Sequence, residues 1–151
     1  MQRFPDADAV RGNTREIRFL STLGDAPADA VDVSQVRDGS VRAWFVDDVL
    51  YIAANGTIYA PEDSRHLFSF YSFYADGGVT SLETIDFGGC FDTGKVTNMY
   101  FMFAHCYSLT ELDVSGFDTS NVTDMSCMLS LIHIWPACAA SETTPFPAAS
   151  A

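Results

Sequence analysis

The sequence predicts an α/β fold: a small β-rich N-terminal cap, then the start of a solenoid whose repeats each hold a short strand and a short helix. Three observations lead there. Residues 40–54 hold the clearest strand signal, the β-branched and aromatic runs SVRAWFV and DVLYIAA, and upstream Ile17 and Phe19 alternate with polar neighbours. Residues 91–102 recur at 117–128, an offset of 26 that falls in the range of stacked repeat architectures. Finally, 48% of the residues are hydrophobic and 13% aromatic, which supplies a packed core for one domain-sized chain of 151 residues.

The elements follow in order. Residues 1–14 are polar, with Pro5 and Gly12, and read as a linker or disordered lead-in. Residues 15–60 form the β-rich cap. REIRFLSTL (15–23) reads as a strand, GDAPADAVDVS (24–34) as a loop or short helix, and SVRAWFV (40–46) and DVLYIAA (48–54) as strands. Asn55-Gly56 is expected to centre a type I′ hairpin leading into TIYA (57–60), because both residues tolerate positive φ. Trp44, Val46, Leu50, Ile52 and Ile58 are assigned to the buried face of that unit. Residues 61–81 are a helical transition, with Asp63 or Ser64 as N-cap ahead of Leu67 and Phe68.

Residues 82–128 carry the repeat. FDTGKVTNMYFM (91–102) and FDTSNVTDMSCM (117–128) agree at seven of twelve positions, where composition alone would match roughly one. LETIDF (82–87) is echoed by LTELDV (109–114) at an offset of 27. A period in the twenties with an L-x-x-L-x-L segment marks a leucine-rich type. The expected repeat core is Leu82, Ile85, Phe87, Phe91, Val96, Met99, Met102 and Phe103, then Leu109, Leu112, Val114, Phe117, Val122, Met125 and Met128. Thr123 is the expected N-cap of a short helix turning Met125 and Met128 inward, and Val96 and Val122 are placed to staple back onto it. Thr110, Glu111 and Asp113 point outward and are the binding positions suggested by geometry. A unit of one strand and one helix cannot bury its own apolar face, so stability comes from stacked neighbours, and two repeats alone are expected to be marginal.

LxxLDVSGFDTSNVTDMSxM resembles the repeat of bacterial leucine-rich surface proteins of the BspA-like type, also described in mycoplasma surface lipoproteins. The stretch DGSVRAWFVDDVLYIAANGTIYAPEDSRHLFSFY resembles the region preceding such repeats, so the likeness covers roughly residues 15–128. The resemblance implies export, a cell-surface or extracellular location, and adhesion to a protein or glycan partner. It implies no catalytic residue. Gly94-Lys95 departs from the Ser120-Asn121 of the second copy, which puts a ladder of stacked Asn side chains in doubt there.

After Met128 the register breaks. LSLIHIW (129–135) and the Ala/Pro/Ser-rich remainder read as a disordered or non-native tail, LSLIHI matching one frame of a transposase adaptor used in sequencing libraries. On that reading the chain is the amino-proximal fragment of a longer protein, with apolar surface left open after Met128.

The charge balance limits the partners. Eight basic against twenty acidic residues give a net charge of −12, and one Lys with seven scattered Arg cannot supply the clustered cations that nucleic acid or anionic membrane requires. No run of apolar residues approaches the ~18 of a membrane-spanning helix, so direct membrane insertion is not expected. The first fourteen residues also lack the apolar core of a signal peptide.

Cys90, Cys106, Cys127 and Cys138 show neither a CxxC pair nor His at metal spacing, and His66, His105 and His133 are isolated. Asp47-Asp48 lacks the glycine and closing Glu of a Ca²⁺ loop, Gly77-Gly78 and Gly88-Gly89 lack phosphate-loop residues, and the two N-x-T sequons are explained as turns and caps. The four methionines of the repeat are core filler. No metal, cofactor or catalytic residue is therefore expected. The functional expectation is a non-enzymatic surface binding or adhesion scaffold presenting stacked repeats, the alternative being an accessory repeat stalk of a larger secreted or wall-anchored enzyme.

Overall fold

The computed structural model describes residues 14–69, 81–130 and 132. Eight strands follow one another: β1 (Glu16–Leu20), β2 (Val31–Asp32), β3 (Val41–Val46), β4 (Val49–Ala54), β5 (Ile58–Tyr59), β6 (Thr84–Asp86), β7 (Phe91–Asp92) and β8 (Glu111–Leu112). Six form one sheet in the order β2-β3-β4-β1-β6-β8, and β5 pairs with β7 in a second. β1 sits between β4 and β6, parallel to both, so residues 16–54 and 84–112 share a single sheet.

Strands form where alternation and β-branched residues agree. In β3 and β4, Ala43 and Ile52 face each other and are almost fully buried, while Trp44 faces Tyr51 on the opposite side. The hairpin between them turns at Asp47 and Asp48, with φ of 48° and 68°, the pair of positive angles a two-residue primed turn needs. Asn55-Gly56 does not make the expected hairpin. Leu23 N–H donates to Asn55 Oδ1 at 3.0 Å and Gly56 N–H to Ser21 O at 2.9 Å. The chain is thereby steered away from β4, and β5 pairs in parallel with β7.

The inner face of the large sheet carries Ile17, Phe19, Leu50, Ile52 and Ile85, all buried. Beneath it Phe19, Phe68, Phe87, Phe91, Phe103 and Phe117 interlock, for example Phe19 on Phe91 at 4.8 Å and Phe68 stacked on Phe103 at 5.3 Å. Edge-to-face and offset contacts of this kind add to the burial term. Two assignments to the buried face are corrected. Trp44 is half-exposed and Val46 is 48% exposed, both on the outer side of β3.

The α/β solenoid of strand-plus-helix repeats is not formed. Among the described residues there is no helix; residues 100–105 and 126–130 are turns, and 65–68 of the expected transition helix are a turn and a bend. The cause is where the backbone N–H groups go. Met99, Phe101 and Phe103 donate to Asp124, Ser126 and Met128 at 2.7, 3.2 and 2.9 Å, one repeat away, instead of to residues four back. Asn98 and Asp124 side chains capture the N–H of Tyr100 and Ser126, each at 2.9 Å. Such local side-chain bonds compete with helix. His66, Phe101 and Cys127 hold φ of 57°, 54° and 53°, which no right-handed helix accommodates. Thr123 caps no helix: its hydroxyl donates to Thr97 O at 3.0 Å. The leucine-rich, BspA-like reading fails with the helix it requires, and the chain is instead a small all-β domain whose repeated segments lie side by side in parallel.

Side-chain bonds tie these segments. Thr93, fully buried, donates its hydroxyl to Asp118 O at 3.0 Å and accepts from Asp118 N–H at 2.8 Å. Asn121 Nδ2 donates to Gly94 O at 2.7 Å, so an Asn contact survives although the first copy has Gly94-Lys95. The ladder runs beyond Met128: His105 N–H donates to Ser130 O at 3.0 Å and Ile132 is buried. Of the expected lead-in (1–14) only Thr14, and of the expected tail (129–151) only Leu129, Ser130 and Ile132, fall among the described residues.

Candidate functional site

Among the described residues no group of three or more His, Cys, Asp or Glu is placed to hold a metal, and no helix is long and apolar enough to cross a membrane. What the fold does assemble is the outer face of the six-stranded sheet. Strand register aligns Trp44, Tyr51, Arg18 and Asp86 in one row across β3, β4, β1 and β6. A second row holds Val46, Val49, Glu16, Thr84 and Glu111, running out to β8. Directly opposed residues share a face, so these side chains form one surface.

The geometry of the first row is specific. Trp44 and Tyr51 stack with ring centroids 5.4 Å apart and an interplanar angle of 10°. Arg18 Nε donates to Glu16 Oε1, and the Arg18 side chain remains 47% accessible. Glu16 raises the Arg18 pKa first by that hydrogen bond and then by its charge, with Tyr51 and Asp86 adding to the effect. The guanidinium is thus a fixed cation beside a flat aromatic pair. A further ion pair, Arg15 Nη2 to Glu83 Oε1 at 2.8 Å, joins the entry to β1 with that to β6.

The loop beyond β2 is braced by Asp32, whose carboxylate accepts from Ser34 N–H at 2.9 Å, Ser34 Oγ at 2.6 Å and Gly39 N–H at 2.9 Å. Those bonds, the Ser34 hydroxyl first, hold the Asp32 carboxyl below the usual carboxylate range. The loop between β2 and β3 is thereby braced.

The three outward positions suggested by sequence fall at one edge of this surface. Glu111 lies on β8 in line with Thr84 and Glu16. Thr110 spends both its N–H and its hydroxyl on Glu83 O, at 2.9 and 3.2 Å. Asp113 lies past the strand and accepts from Ser115 N–H at 2.9 Å. Of the expected repeat core, Leu82, Ile85, Phe91, Val96, Met99, Met102, Phe103, Leu109 and Met128 are buried. Phe87, Leu112, Val114, Phe117, Val122 and Met125 are half-buried against them.

Sequence reasoning missed Trp44, Tyr51, Arg18 and Asp86. One signal was present: Arg42 is in phase with Trp44, and a charged residue marks the solvent side of an alternating strand.

Residues 83–133 match a family described as "Mycoplasma protein of unknown function, DUF285", which covers about a third of the chain. No curated protein and no solved structure matches. The expectation of an adhesion scaffold presenting stacked strand-helix repeats, and its variant as a repeat stalk, is withdrawn, because the architecture that would present them is not the one formed.

Proposed function

We propose that this chain is a non-catalytic recognition domain that binds another protein on the outer face of its six-stranded sheet. The observation carrying the reading is the cross-strand row Trp44–Tyr51–Arg18–Asp86. Trp, Tyr and Arg are the residues that dominate protein–protein binding energy, and truncating such an anchor costs about 2 kcal/mol or more, a loss of roughly 30-fold in affinity. Here the three are adjacent, rigidly backed by the core, and bordered by Glu16 and Asp86 as hydrogen-bond acceptors. Nucleic acid is disfavoured as partner by the net charge of −12.

The test is selection of a displayed peptide and protein library on the purified chain, followed by titration of the clones against Trp44→Ala and Arg18→Ala. Clones that lose about 30-fold or more on both variants support the proposal. Clones indifferent to both, or binding on a glycan array without any protein ligand, refute it.

A further inference from the structure

A second surface lies along the segment 122–130, the last of the ladder among the described residues, away from the aromatic row. Ser64, His66 and Phe68 donate their N–H groups to Asn98, Tyr100 and Met102, and Met99, Phe101 and Phe103 donate in turn to Asp124, Ser126 and Met128. By the same step, the N–H groups of Met125, Cys127 and Leu129 point onward, and none has an acceptor among the described residues. They are spaced at every second residue, the spacing of a strand edge that pairs with an incoming chain.

The side chains tell the same story. Val96 and Met99 are fully buried, whereas their counterparts Val122 and Met125 are only half-buried. Phe91 and Ile85 are buried, and Phe117 and Leu112 are half-open. A row of bare donors therefore runs beside an apolar strip. Around it stand Glu111, Asp113, Asp118 and Asp124, and residues 109–132 contain no Lys, Arg or His. Carboxylates on an edge oppose pairing with a second acidic edge, so two copies of a chain of charge −12 repel here. The same rim attracts cations.

We infer that this end of the ladder takes an extended segment of a basic partner protein. Its carbonyls accept from Met125, Cys127 and Leu129, its apolar side chains cover Leu112, Phe117 and Val122, and its Lys or Arg side chains reach the acidic rim. Glu111 also ends the second row of the outer face, but the site uses none of Trp44, Tyr51, Arg18 and Asp86, so either can fail without the other.

The experiment uses the full chain, isotopically labelled, with three synthetic eight-residue probes alternating Val with Lys, Val with Ser, and Val with Glu. The Val/Lys probe is expected to slow amide exchange at Met125, Cys127 and Leu129 about tenfold or more, with the Val/Ser and Val/Glu probes weaker by about tenfold. The neutralised variant E111Q/D113N/D118N should lose that preference while keeping its turns, and Trp44→Ala should leave it unchanged. Equal protection by the Val/Ser probe overturns the basic assignment. Protection absent at millimolar Val/Lys, or already present in a free protein that sediments as a dimer, overturns the site.

Discussion

Gly88 and Gly89 allow the close packing of two strands to be tested by adjacent, otherwise matched substitutions. Both glycines hold left-handed backbone, with φ of 58° and 61°. They differ in what lies next to them. A Cβ at Gly88 would sit 2.3 Å from the carbonyl oxygen of Phe19 and 3.3 Å from its carbonyl carbon, whereas a Cβ at Gly89 would meet nothing within 4 Å. Phe19 lies in β1, paired with Ile52 of β4, and is 2% exposed, so a shift of its backbone would disturb both the sheet and the core. Gly89→Ala should therefore cost only the left-handed penalty, about 1 kcal/mol. Gly88→Ala should add an overpacking term of ~2 kcal/mol and so lose about 3 kcal/mol in all. With a urea m-value of about 2 kcal/mol/M for a chain of this size, the two midpoints should differ by about 1 M. The assay is urea unfolding followed by Trp44 fluorescence in a Trp135→Phe background. Midpoints agreeing within about 0.3 M would refute the reasoning, since they would place the Phe19 carbonyl farther away.

Thr93→Val keeps the volume of a fully buried side chain but removes both bonds to Asp118, so a loss of about 2 kcal/mol is expected by thermal unfolding; a loss under ~0.5 kcal/mol would show the two segments are not held there. Phe103→Ala, fully buried and stacked on Phe68, should cost about 3–5 kcal/mol, against under ~1 kcal/mol for Phe45→Ala at 38% exposure, and similar losses would contradict the assigned core. Burial, and then the charge of His66, push the His105 imidazole below its ordinary pKa. The unfolded chain therefore takes up that proton first, so stability is complete above pH ~6.5 and declines as the pH falls below it. A urea midpoint that rises between pH 7.5 and 5.5 would contradict this, and His105→Gln should shrink the step. Serine hydroxyls and backbone N–H groups hold Asp113, Asp118 and Asp124 below the carboxylate range, the backbone bond leading at Asp124. Their contribution is present above pH ~3.9 and lost as the pH drops from there through their folded values, which an acid series of midpoints will show as a second decline.

What was legible in the sequence was local. SVRAWFV and DVLYIAA are strands because β-branched and aromatic residues favour extended backbone within six residues, and β3 and β4 fall within them. The recurrence was equally plain: Asn98 pairs with Asp124 at its step of 26, and Ile85 with Leu112 at the offset of 27. What that recurrence could not disclose was the conformation of the recurring unit. Met at i and i+3 sits on one side of a helix, but it sits equally on one side of a chain of turns whose alternate N–H groups bond to the next copy. The deciding features were Asn98 and Asp124, short polar side chains able to take the N–H two residues on. The expected helix beginning after Thr123 puts Asp124, and Asn98 in the earlier copy, in its first turn, but their preference for an Asx turn outweighs the modest propensity of their neighbours.

The outer face was hidden for a different reason. Its row joins residue 18 to residues 44, 51 and 86 only because β1 inserts between β4 and β6. Parallel pairing over such separations leaves no short-range signature, since the connection can be of any length that reaches. The phase of β3 was misassigned for the same want of context. Trp44 and Phe45 are both apolar, so alternation alone permits either to face inward, and only Arg42, in step with Trp44, breaks the tie. Trp44 turned outward is a costly arrangement unless something is gained by it, because a stacked Trp–Tyr pair held half-exposed forgoes burial that the core would provide. The chain keeps Ala43 at the buried position and the indole outside, and the proposed binding face rests on that arrangement.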